Sequence, residues 1–129
     1  MNDRFGFLHQ GKKVLELGSA PGAWTQVNVA KVGTGNVVAV DIKEMEVVVG
    51  AEFIQFDVLK GEGLEKMDVV LHGGVDVVES DMAAPSTGHA GTDHLRTMAL
   101  CEAAFEVAIR YLNPGGFFVA KVIQGGSEK

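Results

Sequence analysis

The chain has 129 residues and a mass of 13.7 kDa, the size of one domain, and 47% of it is hydrophobic against 22% charged. That balance excludes a disordered chain, which is more polar and more highly charged. The formal net charge of −6 argues against broad nonspecific nucleic-acid affinity, which shows a basic footprint.

The charge is uneven. Residues 1–60 carry six basic and seven acidic side chains, residues 61–129 five and ten. A polyanion therefore has to meet a local basic patch, for which Arg4, Lys12 and Lys13 are the candidates. The single cysteine, Cys101, makes no internal disulfide, so cysteine usage gives no sign of secretion. No stretch approaches the roughly 20 apolar residues of a membrane helix, and no signal-peptide pattern follows Met1. Seventeen glycines, about twice ordinary usage, suggest tight turns or backbone in close approach to a ligand.

In chain order, the first apolar run, 14–17, predicts a strand. A helix over 23–31 follows Pro21-Gly22 and stops near Gly33. Further strands are predicted at 37–40 and 52–56, then a weak helix or turn at 61–67, then a strand at 75–79. The longest predicted helix spans 94–112, where Leu95, Met98, Cys101, Phe105, Ala108 and Leu112 recur at intervals of three and four as one apolar stripe. Thr92 or Asp93 is placed to cap its start, and Asn113-Pro114-Gly115-Gly116 to end it. A fifth strand is predicted at 117–123, so apolar that it reads as central. Most of these runs are continuous rather than alternating, as in strands buried on both faces. Strand and helix in alternation imply an α/β fold. A short lead before the first strand and an apolar strand close to Lys129 predict a single but incomplete domain over 1–129, in which the fifth strand needs cover.

The segment Glu16-Leu17-Gly18-Ser19-Ala20-Pro21-Gly22-Ala23-Trp24 joins the first strand to the first helix. Glycines at such a junction let backbone approach a ligand at a helix N-terminus. Asp41 closes the second strand, where an acid is placed to accept hydrogen bonds from ribose hydroxyls. Neither the dinucleotide spacing G-x-G-x-x-G nor a P-loop is met, so the residues alone indicate a nucleoside-type ligand against the alternative of a structural turn.

Three segments carry a more specific resemblance. Val14 to Gln26, Ser80-Asp81-Met82-Ala83-Ala84-Pro85-Ser86-Thr87-Gly88, and Leu112 to Gly125 with its Pro114-Gly115-Gly116 and Lys121 resemble the motifs of the FtsJ/RrmJ family. These are S-adenosylmethionine-dependent 2′-O-methyltransferases of large-subunit ribosomal RNA. The resemblance implies a doubly wound, mostly parallel Rossmann-like sheet lacking its last strands. It implies a cytoplasmic enzyme that moves a methyl group from S-adenosyl-L-methionine to a uridine 2′-OH in ribosomal RNA of the large subunit. By that resemblance Gly22 and Trp24 contact the methionine end of the cofactor, Asp41 holds the ribose and Asp57 the adenine amine. Asp81 lies beside the methionine moiety and the reacting centre, and Lys121 matches the catalytic lysine.

Methyl transfer from a sulfonium needs alignment and help with the hydroxyl proton. Lysine accepts that proton only when its pKa falls from about 10.4 toward neutrality; otherwise it stabilises the developing oxyanion as a cation. Both roles stay open for Lys121. The family's second catalytic lysine, its later glutamate and its basic N-terminal segment have no counterpart in these 129 residues, so reduced turnover is expected. The alternatives are a 2′-O-methyltransferase of tRNA or a cap, a non-catalytic cofactor-binding fragment, and a nicotinamide-dependent reductase, which Trp24 disfavours. The bland readings are a snorkelling Lys121, a core Trp24, an ordinary strand-end acid at Asp57, a turn cap at Asp81, a core Cys101 and plain packing for Val47–Val49. His89, Asp93 and His94 match no common zinc spacing, so no metal is expected.

Overall fold

The structure, a computed structural model, describes residues 10–18, 22–43, 46–57, 59–60, 64–80 and 90–120. Its elements are β1 (Val14–Leu17), α1 (Ala23–Val32), β2 (Val37–Asp41), β3 (Ala51–Gln55), α2 (Leu64–Val70), β4 (Val75–Ser80), α3 (Ala90–Tyr111) and β5 (Leu112–Ala120). The five strands form one parallel sheet in the order β3-β2-β1-β4-β5. From β1 the chain steps outward through β2 and β3, then returns to the other side of β1 for β4. The order therefore reverses between β1 and β4, the position where open parallel sheets bind ligands outside their carboxyl ends. The expected doubly wound α/β fold is observed.

Both faces of the sheet are covered, which explains the unbroken apolar runs. All four residues of β1 are buried. Val14 joins Val32, Val37 and Val77 on the α1 face. Leu15 and Leu17 join Ile54, Met67, Val78 and Ala108 on the face covered by α2 and α3.

Four expectations need correction. The weak 61–67 helix is a real helix shifted to Leu64–Val70, anchored by buried Met67. Helix α3 is already formed at Ala90, so Thr92 and Asp93 lie inside it and do not cap its start. Its buried face is Ala104, Val107, Ala108 and Tyr111, while Leu95 is 70% and Phe105 53% exposed. The reason is length: 22 residues of helix span about 33 Å, whereas the six residues of β4 span about 20 Å. Only the last turns of α3 lie over the sheet, where Phe105 and Phe118 pack at 5.8 Å between ring centroids. Finally, α3 does end at Tyr111, just before Asn113-Pro114-Gly115-Gly116, but this segment is a bulge within β5 and does not precede the fifth strand. Leu112 pairs with Val75 and Phe117 with Val77, leaving four residues opposite Asp76. Gly115 has φ +83, and a Cβ on Gly116 would stand 2.7 Å from the Asp76 carbonyl oxygen, so the bulge requires glycine. Among the described residues β5 is the outer strand, with Phe117 54% exposed, so its apolar run does stand at an edge, as expected. Residues 121–123 of the expected strand lie outside the described residues.

Helices α2 and α3 are joined by Asp68. Its carboxylate accepts two hydrogen bonds from Arg110, at 2.9 and 2.7 Å, and one from the Tyr111 hydroxyl at 2.5 Å. The Arg110 hydrogen bond, with that of Tyr111, holds the Asp68 carboxyl down at about 2. Burial, with the Asp68 hydrogen bond, pushes the Tyr111 hydroxyl up to about 12. A depressed carboxyl pKa adds stability that is fully present above the ordinary value of 3.8 and is lost as pH falls through about 2. Asp68→Asn is therefore expected to lower the thermal midpoint at neutral pH. Its deficit against the wild type should narrow as pH falls from 4 through about 2 in a calorimetric series.

Candidate cofactor site at the carboxyl ends of the strands

Parallel pairing delivers the predicted binding residues to one end of the sheet. The Gly18 amide donates to the Val40 carbonyl at 2.8 Å, and the Phe56 amide to the Asp41 carbonyl at 3.0 Å. The exits of β1, β2 and β3 therefore stand side by side. With strands about 4.8 Å apart, the exits of β1 and β3 stand about 10 Å apart, a span that suits a nucleoside.

Gly22 caps α1 in the left-handed region, with φ 112 and ψ 4, and its carbonyl accepts the first helical bond from the Gln26 amide at 3.2 Å. Among the described residues no side chain caps this N-terminus. The first amides of a helix have no intrahelical acceptor, which makes this end a favourable place for negative or polar ligand groups. Trp24 lies on the first turn and is 36% exposed, so it is not the fully buried core residue of the bland reading.

Asp41 ends β2, and its Oδ1 accepts the Lys43 amide at 2.9 Å. The loop that follows is held by Gln55 Nε2 donating to the Ile42 carbonyl at 2.9 Å, and the Ile42 side chain is exposed beside the acid. Asp57 stands two residues past β3. Its Oδ1 accepts the amides of Leu59 at 3.0 Å and Lys60 at 3.4 Å, so this carboxylate also shapes its own turn. The structure thus brings Gly22, Trp24, Asp41 and Asp57 to one rim. Asp81 and Lys121 lie outside the described residues; the residues just before them, Ser80 and Ala120, are register partners.

Sequence reasoning missed a polar cluster beneath this rim. Glu16, 2% exposed, accepts the Thr25 hydroxyl at 2.8 Å and Asn28 Nδ2 at 3.2 Å on the same Oε1. Asn28 Nδ2 also donates to Glu79 Oε1 at 2.8 Å. Two signals pointed to it: an acid inside each of the apolar runs of β1 and β4, and polar residues one turn apart on α1.

A cavity of about 360 Å³ lies at the opposite end of the sheet, lined by Lys13, Thr34, Asn36, Glu52 and His72 with the first residues of β1 to β4. It does not coincide with the glycine turn or the strand-end acids. We place the site at the carboxyl ends because a parallel sheet presents its ligand crevice there. Among the described residues no three His, Cys, Asp or Glu side chains are grouped to hold a metal, and no helix is long and apolar enough to cross a membrane. Gly22→Ala forces a Cβ into the left-handed region and should destabilise the fold by about 1–2 kcal/mol, read as a lower midpoint in urea unfolding.

The FtsJ-like methyltransferase family model matches residues 1–129. The chain is 49% identical to ribosomal RNA large subunit methyltransferase E of Cereibacter sphaeroides, over 99% of this chain and 56% of that protein. It is 49% identical to the enzyme of the same name from Paramagnetospirillum magneticum, over 100% and 55%. The chain thus spans about half the length of the curated relatives it matches. The crystal structure of a ribosomal RNA methyltransferase from Plasmodium falciparum superposes with a TM-score of 0.83 at 26% identity, over 97% of this chain and 74% of that one. An epimerase from Methanothermobacter thermautotrophicus shares the fold alone, with a TM-score of 0.62 at 24% identity over 92% and 37%. With its whole length matched by the family model and a rim of glycine turn and strand-end acids at the sheet's switch point, the chain belongs to the FtsJ-like methyltransferase family.

Proposed function

We propose that residues 1–129 form one S-adenosylmethionine-binding domain of an RNA 2′-O-ribose methyltransferase. The substrate we infer is a uridine 2′-OH of large-subunit ribosomal RNA, and the site of action the cytoplasm. The observation that carries this reading is the convergence of Gly18, Gly22, Asp41 and Asp57 on one end of the sheet in a chain of this family. Family membership favours this reading over a nicotinamide-dependent reductase.

The residues present fit the cofactor. Asp41 stands where ribose hydroxyls need acceptors, and exposed Ile42 offers an apolar surface for a base beside it. The start of α1, which has no side-chain cap among the described residues, and Gly22 let backbone come close to the methionine end. S-adenosylmethionine supplies an electrophilic methyl group on a positively charged sulfur. In this proposal Asp41 fixes the ribose, Asp57 accepts from the adenine amine, and Gly22 and Trp24 border the methionine end. Asp81 holds the reacting end in line, and Lys121 steers the proton of the acceptor hydroxyl or steadies its oxygen. The protein's contribution is orientation and proton management, since the electrophile is already activated.

Asp41→Ala is expected to weaken S-adenosylmethionine binding about tenfold to over a hundredfold, the worth of hydrogen bonds to a charged group. Titration calorimetry reads it, and unchanged affinity refutes the ribose role. In the full-length protein, Lys121→Ala is expected to abolish methyl transfer to ribosomal particles while leaving cofactor affinity nearly intact, because the lysine acts on the acceptor. A variant that methylates at the normal rate excludes that role.

A further inference from the structure

We infer that Asn28 is a positioning residue for the cofactor loops: a single amide nitrogen ties the carboxylate at the end of β1 to the carboxylate at the end of β4, across the switch point of the sheet. The inference rests on the cofactor reading above and adds to it a group that touches neither cofactor nor acceptor.

Glu16 and Glu79 are register partners on adjacent parallel strands, so their side chains rise from the same face about 4.8 Å apart. Two carboxylates so placed repel each other and raise the cost of burial. Their register neighbours on the outer sides are Ala39 on β2 and Val119 on β5, neither of which carries charge. From α1, the element packed over this face, Asn28 brings two hydrogens on one nitrogen and donates one to each acid, at 3.2 and 2.8 Å. Thr25, one turn earlier, adds a hydroxyl to the same oxygen of Glu16 at 2.8 Å.

The consequence is positional. Glu16 lies two residues before Gly18, and Glu79 immediately before Ser80, where β4 ends. Helix α1 begins at the glycine turn. One clamp therefore fixes three things together: the exit of β1, the exit of β4, and the seat of the helix whose N-terminus faces the ligand. An apolar residue at position 28 removes both of these hydrogen bonds, and the exits lose this shared contact with α1.

The test is calorimetric titration of the chain with S-adenosylmethionine at neutral pH, together with thermal unfolding of each variant. Asn28→Leu is expected to bind about tenfold more weakly or worse, the worth of one or two lost charge-assisted hydrogen bonds. Asn28→Asp places a third carboxylate in the cluster. It should bind more weakly than the wild type, because the amide that donates to both acids is gone. Asn28→Asp combined with Glu79→Gln exchanges donor and acceptor, and should return neutral-pH affinity to within about threefold of wild type. Folded Asn28→Leu with unchanged affinity overturns the proposal. So does a folded double variant no better than Asn28→Asp. If Asn28→Leu does not fold, the two aspartate variants decide. A wild-type chain that does not bind the cofactor refutes the cofactor reading and this proposal together, whereas wild-type binding with any overturning variant result refutes the proposal alone.

Discussion

Parallel pairing of β1 with both β2 and β4 is the constraint on which the rest depends. With every strand running the same way, all carboxyl ends emerge at one edge, and the strand order reverses beside β1, the place where parallel sheets present a ligand crevice. The glycine turn, Asp41 and Asp57 are distant in sequence but are carried to that rim by consecutive strands. The price is that β1 is enclosed on both faces, so whatever it bears must be apolar or fully answered by partners.

That requirement explains why the α1 face changes character along its length. Toward the amino ends it is a small aliphatic core of Val14, Val32, Val37 and Val77. Toward the carboxyl ends it becomes the Glu16, Thr25, Asn28 and Glu79 cluster. Directional bonds there replace apolar packing next to the rim, where the position of the loops matters most. The opposite face needs no such precision and is filled by Leu15, Leu17, Ile54 and Met67, with the Asp68–Arg110–Tyr111 link holding α2 to α3 at the surface.

The fold was largely legible because strand runs such as 14–17 and 75–79 owe their composition to burial on both faces, a signal written in each run. The candidate rim could be proposed from sequence because a glycine turn and a strand-end acid carry their own chemistry. What escaped depended on objects that local sequence does not contain. The stripe Leu95, Met98 and Phe105 has the helical period, but its burial is decided by how far the sheet extends beneath α3. The Asn113-Pro114-Gly115-Gly116 segment reads as a stop, yet pairing with β4 turns it into a bulge. The Glu16–Glu79 adjacency is a fact of register between strands 63 residues apart, and only the paired sheet reveals it.

The central claim is that the ligand rim lies at the carboxyl ends and takes the methyl donor. Its most direct test is amide chemical-shift mapping of the chain titrated with S-adenosylhomocysteine, the demethylated form of the cofactor. Saturable shifts are expected at Gly18, Gly22, Trp24, Asp41 and Ile42, and none at Lys13, Thr34 or His72 around the opposite cavity. Shifts confined to that cavity, or no shifts at saturating ligand, would contradict it.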